Sequence, residues 1–235
     1  MVENKKPSVL KPDLKDERIN QDLRAKLLSD FYSYHHTTCK RRNQSVSEEK
    51  RSTIFKKWMG KNKKVLDLGC RDGRLTRHFI DQNEVVGLDI DKIALEECAK
   101  NLSIETKWVD FSIQIPLQTS SFDVIVAGEV IEHLPCPAIT MAEASRILKP
   151  NGLFIGSVPN SYHIKNRLRV LKGSLIDNDQ THLRTYNVTL LKHYLEKDFI
   201  IEKLTSSRGK SAFLSIAWFG RDLVWKCRNK KQLII

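Results

Sequence analysis

From residue 64 onward, short apolar runs alternate with segments whose apolar residues recur at helical spacing. The runs cover residues 64–68, 85–90, 104–109, 122–127 and 153–158. Helices are predicted between them over 74–81, 93–100 and 138–148, the last closed by Lys149-Pro150-Asn151-Gly152. Strands that alternate with helices in this order predict an α/β fold with a parallel, doubly wound sheet. The end of the chain departs from the alternation: a helix over 188–196 is followed by strands over 199–205 and 222–227, which would close the sheet. Ahead of residue 64, residues 1–15 are rich in Lys, Pro and Asp and read as a flexible tail. Residues 16–62 read as a helical segment with helices over 17–28 and 48–59. Between those helices lies Phe31-Tyr32-Ser33-Tyr34-His35-His36, which either covers a pocket or simply packs. Residues 63–235 then form one domain, with 160–185 as a cap insertion.

Composition narrows the class. The chain has 235 residues, 40% apolar and 29% charged, enough for one ordinary domain with a full core and appendages. Its most apolar late stretch, residues 213–219, is far below the roughly 20 residues that span a bilayer. It could at most rest on a membrane surface. A polar start without the apolar stretch of a secretory signal suggests a cytoplasmic protein. Cys39, Cys70, Cys98, Cys136 and Cys227 are odd in number and scattered, which favours neither a disulfide framework nor a zinc knuckle. The net charge of +12 is uneven: about +9 over residues 1–64, −3 over 65–207 and +6 over 208–235. Basic flanks around a near-neutral core attract phosphate, nucleic acid or an anionic membrane face, or are merely solvated.

The run at 64–68 leads into Asp67-Leu68-Gly69-Cys70-Arg71-Asp72-Gly73, a strand entering a glycine turn, which brings backbone N–H groups close to a nucleotide-like ligand. The spacing Gly69-x-x-x-Gly73 lacks the full Gly-x-Gly-x-x-Gly that seats a pyrophosphate. A cationic cofactor without phosphate tolerates Asp67 there, whose carboxylate can order the loop. Asp89 ends the next run, where an acid accepts from both ribose hydroxyls, as it would also in a nicotinamide enzyme. Asp110-Phe111 ends the third, an acid and an aromatic ring suited to the adenine amine and ring face. Taken alone, Asp110 reads equally as a turn former.

With Ser121-Phe122-Asp123-Val124 and Leu148-Lys149-Pro150-Asn151-Gly152, these segments resemble the successive motifs of class I S-adenosylmethionine-dependent methyltransferases over residues 64–158. The resemblance implies a Rossmann-like seven-stranded sheet of order 3-2-1-4-5-7-6 with the last strand antiparallel. It also implies cofactor contacts from Asp67, Gly69, Cys70, Gly73, Asp89, Ile90, Asp110, Phe111 and Glu129. Arg71 stands where the commonest form of the motif has glycine. A positive φ there would strain an arginine by about 1 kcal/mol.

After the fourth run stands Gly128-Glu129-Val130-Ile131-Glu132-His133-Leu134. Glu129, Glu132 and His133 at i, i+3 and i+4 converge on one side of a helical turn. Two carboxylates and an imidazole can hold a cation, or Glu129 touches the cofactor while His133 acts as a base or packs. The Glu-x-x-Glu-His cluster, Val158-Pro159-Asn160 and Thr181-His182 are similar to two divalent-cation-using groups. These are the ubiquinone-biosynthesis O-methyltransferases and the small-RNA 2′-O-methyltransferases. That similarity implies Glu129, Glu132, His133 and His182 as ligands of Mg²⁺ or Mn²⁺, with Glu132 and His133 catalytic. Segments Asn166 to Gly173 and Thr181 to Tyr186 look like a MetW and ubiquinone-type branch associated with glycan assembly, in which Arg167, Arg169 and Arg184 either meet an anionic substrate or are solvated on the cap helix.

The expected activity is therefore O-methylation of a small-molecule or glycan-type hydroxyl. RNA 2′-O-methylation and non-catalytic cofactor binding stand as alternatives, and a nicotinamide oxidoreductase is more distant. No stacking platform of interleaved aromatic and basic residues supports the RNA alternative.

Overall fold

The computed structural model describes residues 14–38, 47–177, 179 and 181–231, with side chains from Gln21 onward. Most of the tail expected at 1–15 and Cys39 lie outside the described residues. The chain runs α1 (Leu14–Thr38), α2 (Glu48–Met59), β1 (Lys64–Leu68), β2 (Glu84–Asp89), α3 (Lys92–Leu102), β3 (Glu105–Trp108) and β4 (Phe122–Gly128). It continues through α4 (Pro137–Ile147), β5 (Leu148–Pro159), α5 (Ile164–Leu171), α6 (Val188–Asp198), β6 (Phe199–Thr205), α7 (Ile216–Phe219) and β7 (Asp222–Asn229). No helix among the described residues is long and apolar enough to cross a membrane.

The seven strands form one sheet of order β3-β2-β1-β4-β5-β7-β6. Neighbours from β3 to β5 are parallel, and β7 is antiparallel to both β5 and β6. Alternating side chains feed two cores. Leu66, Leu68, Ile125, Phe154 and Trp225 pack with Met141, Ala144 and Ile147 of α4 and Leu191 and Leu195 of α6. Val65, Val124, Val126, Ile155 and Val224 pack on the other face with Phe55 and Met59 of α2. Burial on both faces explains why the strands read as continuous apolar runs.

Two expectations need correction. Residues 74–81 do not form an α-helix but two 3₁₀ turns, Thr76–His78 and Ile80–Gln82. Phe79 between them sits at φ −132°, outside helical geometry, and its carbonyl accepts from Asn83 Nδ2 at 3.0 Å. The Thr76 hydroxyl is drawn down to Asp67 at 2.7 Å. These side-chain bonds compete with a helical ladder. The turn expected at 149–152 is absorbed into β5, with Asn151 at φ +61° taking the left-handed corner.

Candidate active site

A cavity of about 900 Å³ opens at the carboxyl ends of the parallel strands and the amino end of β7. Such crevices are where ligands bind in open α/β sheets. Its floor is the β1 exit loop, where Gly69, Cys70, Arg71 and Asp72 face the cavity. Gly69 adopts φ +75°, and a Cβ there would stand 2.5 Å from Val130 Cγ2, so only glycine fits. The N–H groups of Gly69 and Cys70 both donate to the Leu88 carbonyl, at 2.8 and 3.1 Å.

Arg71 does take the left-handed conformation, at φ +48°. Its strain is offset by a bond from its own N–H to Asp89 Oδ2 at 2.8 Å. The other Asp89 oxygen accepts from Asp91 N at 2.8 Å. Asp89 lines the cavity but is only 5% exposed, and that burial raises its carboxyl above the usual range. Asp91 in turn caps α3 through Ile93 N and Ala94 N. Ile90, Asp110 and Phe111 line the same end. Asp110 accepts from Ser112 N at 3.0 Å and pairs with Arg24 of α1 at 3.4 Å.

Asp67 and Gly73, expected at the cofactor, do not line this cavity. A Cβ on Gly73 would meet Leu102 and Cys98 of α3, which places it on the far side of the loop. Asp67 is 1% exposed, beneath the loop, bonded to the Thr76 hydroxyl. Burial pushes its carboxyl up to about 7. The native chain therefore keeps a proton between about pH 4 and 7 that the unfolded chain releases, so this group makes the fold less stable as pH rises through that window. Asp67→Asn keeps an oxygen for Thr76 and is expected to flatten the slope, gaining up to about 4 kcal/mol at pH 8. Denaturant melts at pH 5 and pH 8 check this; an unchanged difference between the two in the variant would refute it.

The β4 exit builds the other half. Glu129 sits at φ +60°, which turns its side chain toward Arg51 of α2, at 3.0 Å, and the Ser157 hydroxyl, at 2.7 Å. It thus departs from the converging trio expected from its spacing. The next residues form a 3₁₀ turn, Ile131–His133, instead of an α-helical one. Glu132 is 1% exposed, and neither of its carboxylate oxygens accepts a hydrogen bond from another residue. Its carboxyl is held well above the ordinary range, by burial first and by Glu129 second.

His133 Nδ1 lies 3.0 Å from the Thr181 carbonyl, so that nitrogen carries the hydrogen and Nε2 is left as the acceptor, 3.9 Å from Glu132 Oε1. His182 Nδ1 is held by Asp177 Oδ2 at 2.7 Å. The two imidazoles stand 4.8 Å apart, and Glu132, His133 and His182 each offer one ligand atom within 4.8 Å of the others. Of the four residues implied as metal ligands, three therefore meet and Glu129 does not.

Residues 31–36 belong to α1, and Tyr32, His35 and His36 form part of the cavity wall. The Tyr32 ring stands edge-on to His133 at 6.2 Å, and burial pushes its phenol up to about 12. Of the cap arginines, Arg169 lines the cavity, whereas Arg167 donates to the Tyr162 carbonyl and Arg184 to that of Pro135. Sequence reasoning missed Arg24, Arg51, Arg208 and Arg221, all of which line it. Only the basic bias of the two flanks hinted at them.

The family described as a methyltransferase domain matches residues 40–198. The chain is 33% identical over 104 residues to a ubiquinone biosynthesis O-methyltransferase of Thiobacillus denitrificans, covering 42% of this chain and 45% of that protein. It is 34% identical over 104 residues to the Nitrosococcus oceani enzyme of the same name, covering 42% and 44%. The chain thus spans about half the length of the curated relatives it matches. In fold it is similar to the 1,6-didemethyltoxoflavin-N1-methyltransferase of Burkholderia thailandensis, solved with 1,6-didemethyltoxoflavin and S-adenosylhomocysteine. That match has a TM-score of 0.65 at 19% identity and covers 89% of this chain and 90% of the other. A similar likeness, TM-score 0.58 at 16% identity over 81% and 91%, joins it to the N-methyltransferase NodS of Bradyrhizobium japonicum in complex with S-adenosylhomocysteine.

Proposed function

The chain belongs to the family of methyltransferase domains, and from that premise we propose that it transfers the methyl group of S-adenosylmethionine to a hydroxyl oxygen of a small-molecule or glycan-type acceptor. The observation that carries the oxygen acceptor is Glu132, a buried carboxyl whose oxygens accept no hydrogen bond from another residue, facing two oriented imidazoles. A buried acid of this kind is costly unless something cationic or proton-bearing meets it.

The residues at the β2 and β3 end fit the cofactor. Asp89 has further lone pairs that would accept from the ribose hydroxyls, Ile90 and Phe111 would hold the adenine, and the Gly69–Asp72 backbone would meet the part of the cofactor that carries the sulfonium. The cavity volume accommodates a nucleoside together with an acceptor. When bound there, S-adenosylmethionine would supply a methyl group to an aligned hydroxyl oxygen, with S-adenosylhomocysteine as the leaving group and the hydroxyl proton released to a base or to solvent.

Glu132, His133 and His182 fit a divalent cation, which would lower the pKa of a hydroxyl bound against it. A ligand set with two imidazoles favours Mn²⁺ over Mg²⁺, which prefers oxygen donors. The chain's own part is positioning. Thr181 fixes the His133 tautomer, Asp177 orients His182, and Tyr32 keeps water from that side of the acceptor.

Incubation with labelled cofactor and a panel of catechol and sugar diols, with chelator and then with added Mn²⁺ or Mg²⁺, tests both parts. Label on oxygen, lost with chelator and restored best by Mn²⁺, is the expected result. Transfer indifferent to chelator would remove the cation, and label on nitrogen or carbon would remove the oxygen acceptor.

A further inference from the structure

The strand order continues past the acceptor. From β4 the sheet proceeds to β5 and then to β7, two inter-strand steps of about 4.8 Å, or about 10 Å in all. Because β7 is antiparallel, with Asp222 opposite Pro159, its amino end lies beside the carboxyl end of β5. Arg221 immediately precedes β7, and Arg208 follows β6. Both line the cavity, at the end away from Asp89 and Asp110.

This corner is built. Asn160 Nδ2 donates to the carbonyls of Ile216, Ala217 and Gly220, at 3.2, 3.3 and 2.8 Å. Asn160 N donates to Arg221 O, and Arg221 N to Arg208 O, at 3.0 and 3.1 Å. One buried carboxylate, Asp222, serves the corner, and it is already engaged by Ser206, Ser207 and the Arg208 backbone N–H. It lies 3.6 Å from Arg208 Nε, too far for a hydrogen bond. Among the described residues, no carboxylate pairs with Arg221. Two guanidinium groups thus meet the cavity with donors unspent. The neighbouring His163, buried at the start of α5, is pushed below its usual range by burial and then by Arg221, Lys165 and Arg208, as expected in a locally positive field.

We propose that this corner is a phosphate-binding subsite, in which Arg208 and Arg221 grip a phosphate carried by the methyl acceptor about 10 Å from the oxygen that is methylated. The guanidinium fork matches phosphate oxygens in pairs. The inference rests on the methyl-transfer function proposed above and adds the acceptor's class. The phosphate has two sources: a soluble phosphorylated acceptor, or a lipid headgroup, since exposed Phe213 and Leu214 lie between the two arginines in sequence.

The full chain saturated with S-adenosylhomocysteine is titrated with inorganic phosphate by calorimetry. In parallel it is sedimented with vesicles of phosphatidylcholine alone and with phosphatidylglycerol added. Arg208→Gln, Arg221→Gln, the double variant and a Lys172→Gln/Lys210→Gln control are compared. Binding of phosphate, or of phosphatidylglycerol vesicles only, should weaken at least tenfold in the double variant and stay unchanged in the control. Loss confined to phosphate assigns a soluble acceptor, and loss with vesicles assigns a lipid one. If Arg208→Gln fails to fold, the exposed Arg221→Gln alone must show weakening. Equal binding by parent and variants, or no binding of either probe by the parent, overturns the proposal. These readouts need no turnover, so they stand or fall separately from the diol assay.

Discussion

Replacing Glu132 by Gln is expected to lower methyl transfer about 10²–10³-fold while making the protein more stable at neutral pH. The opposite signs follow from one fact: the carboxyl is 1% exposed and its oxygens meet no donor from another residue. Its folded pKa is raised, so the native chain keeps a proton that the unfolded chain releases above its ordinary value. As pH climbs past that value, the wild-type fold loses stability. Glu132→Gln has no titrating proton, so the variant escapes this pH-linked loss, and its stability advantage over the parent is expected to be larger at pH 8 than at pH 5. Activity falls because an amide cannot give up a proton to become the anionic ligand that the proposed cation needs. Turnover and thermal midpoint measured on the same preparations check the pair, with S-adenosylhomocysteine affinity expected to stay within twofold. A variant that is both stable and fully active would dismiss Glu132 from catalysis.

Replacing Asp89 by Ala should act on the cofactor instead. The change removes the acceptor proposed for the ribose hydroxyls, worth about 1.5–3 kcal/mol for charged hydrogen bonds, or roughly 10- to 100-fold in affinity. It also strands the N–H groups of Arg71 and Asp91, and the former is what holds Arg71 at positive φ. The loop should therefore loosen, and stability should drop by about 1–3 kcal/mol along with affinity. Asp89→Asn restores one acceptor but turns an NH₂ toward a backbone donor, and it should recover only part of either loss. Calorimetric titration with S-adenosylhomocysteine decides; undiminished affinity in Asp89→Ala would place the ribose elsewhere.

The sheet was legible because its strands are buried on both faces, leaving runs such as Val65–Leu68 and Val124–Ala127 that are too short for helices and alternate with helical segments. Loop chemistry was legible where one residue type has one physical use, as at Gly69. What escaped depends on contacts distant in sequence. Thr76 and Asn83 undo a helix whose apolar spacing was sound, because Asp67 and the Phe79 carbonyl capture their side chains. Glu129 leaves the trio for Arg51, 78 positions earlier, once positive φ turns it aside. Arg208 and Arg221 reach the cavity only because β7 runs backwards beside β5. Spacing along one segment cannot anticipate a partner that the topology delivers.

The first helix is joined to this sheet in an uncommon way. Among the described residues, none of α1 belongs to the buried apolar clusters. It is tied instead by Arg24 to Asp110 and Ser112, and by Ser33 and His36 to Asp91. Its Tyr32 and His35 nevertheless wall the cavity. An occupant of the cavity that touches Tyr32 or His35 would hold the helix in place, and the helix would hold the occupant. Cofactor and acceptor that both touch this wall would then help each other bind without touching, through the helix they share.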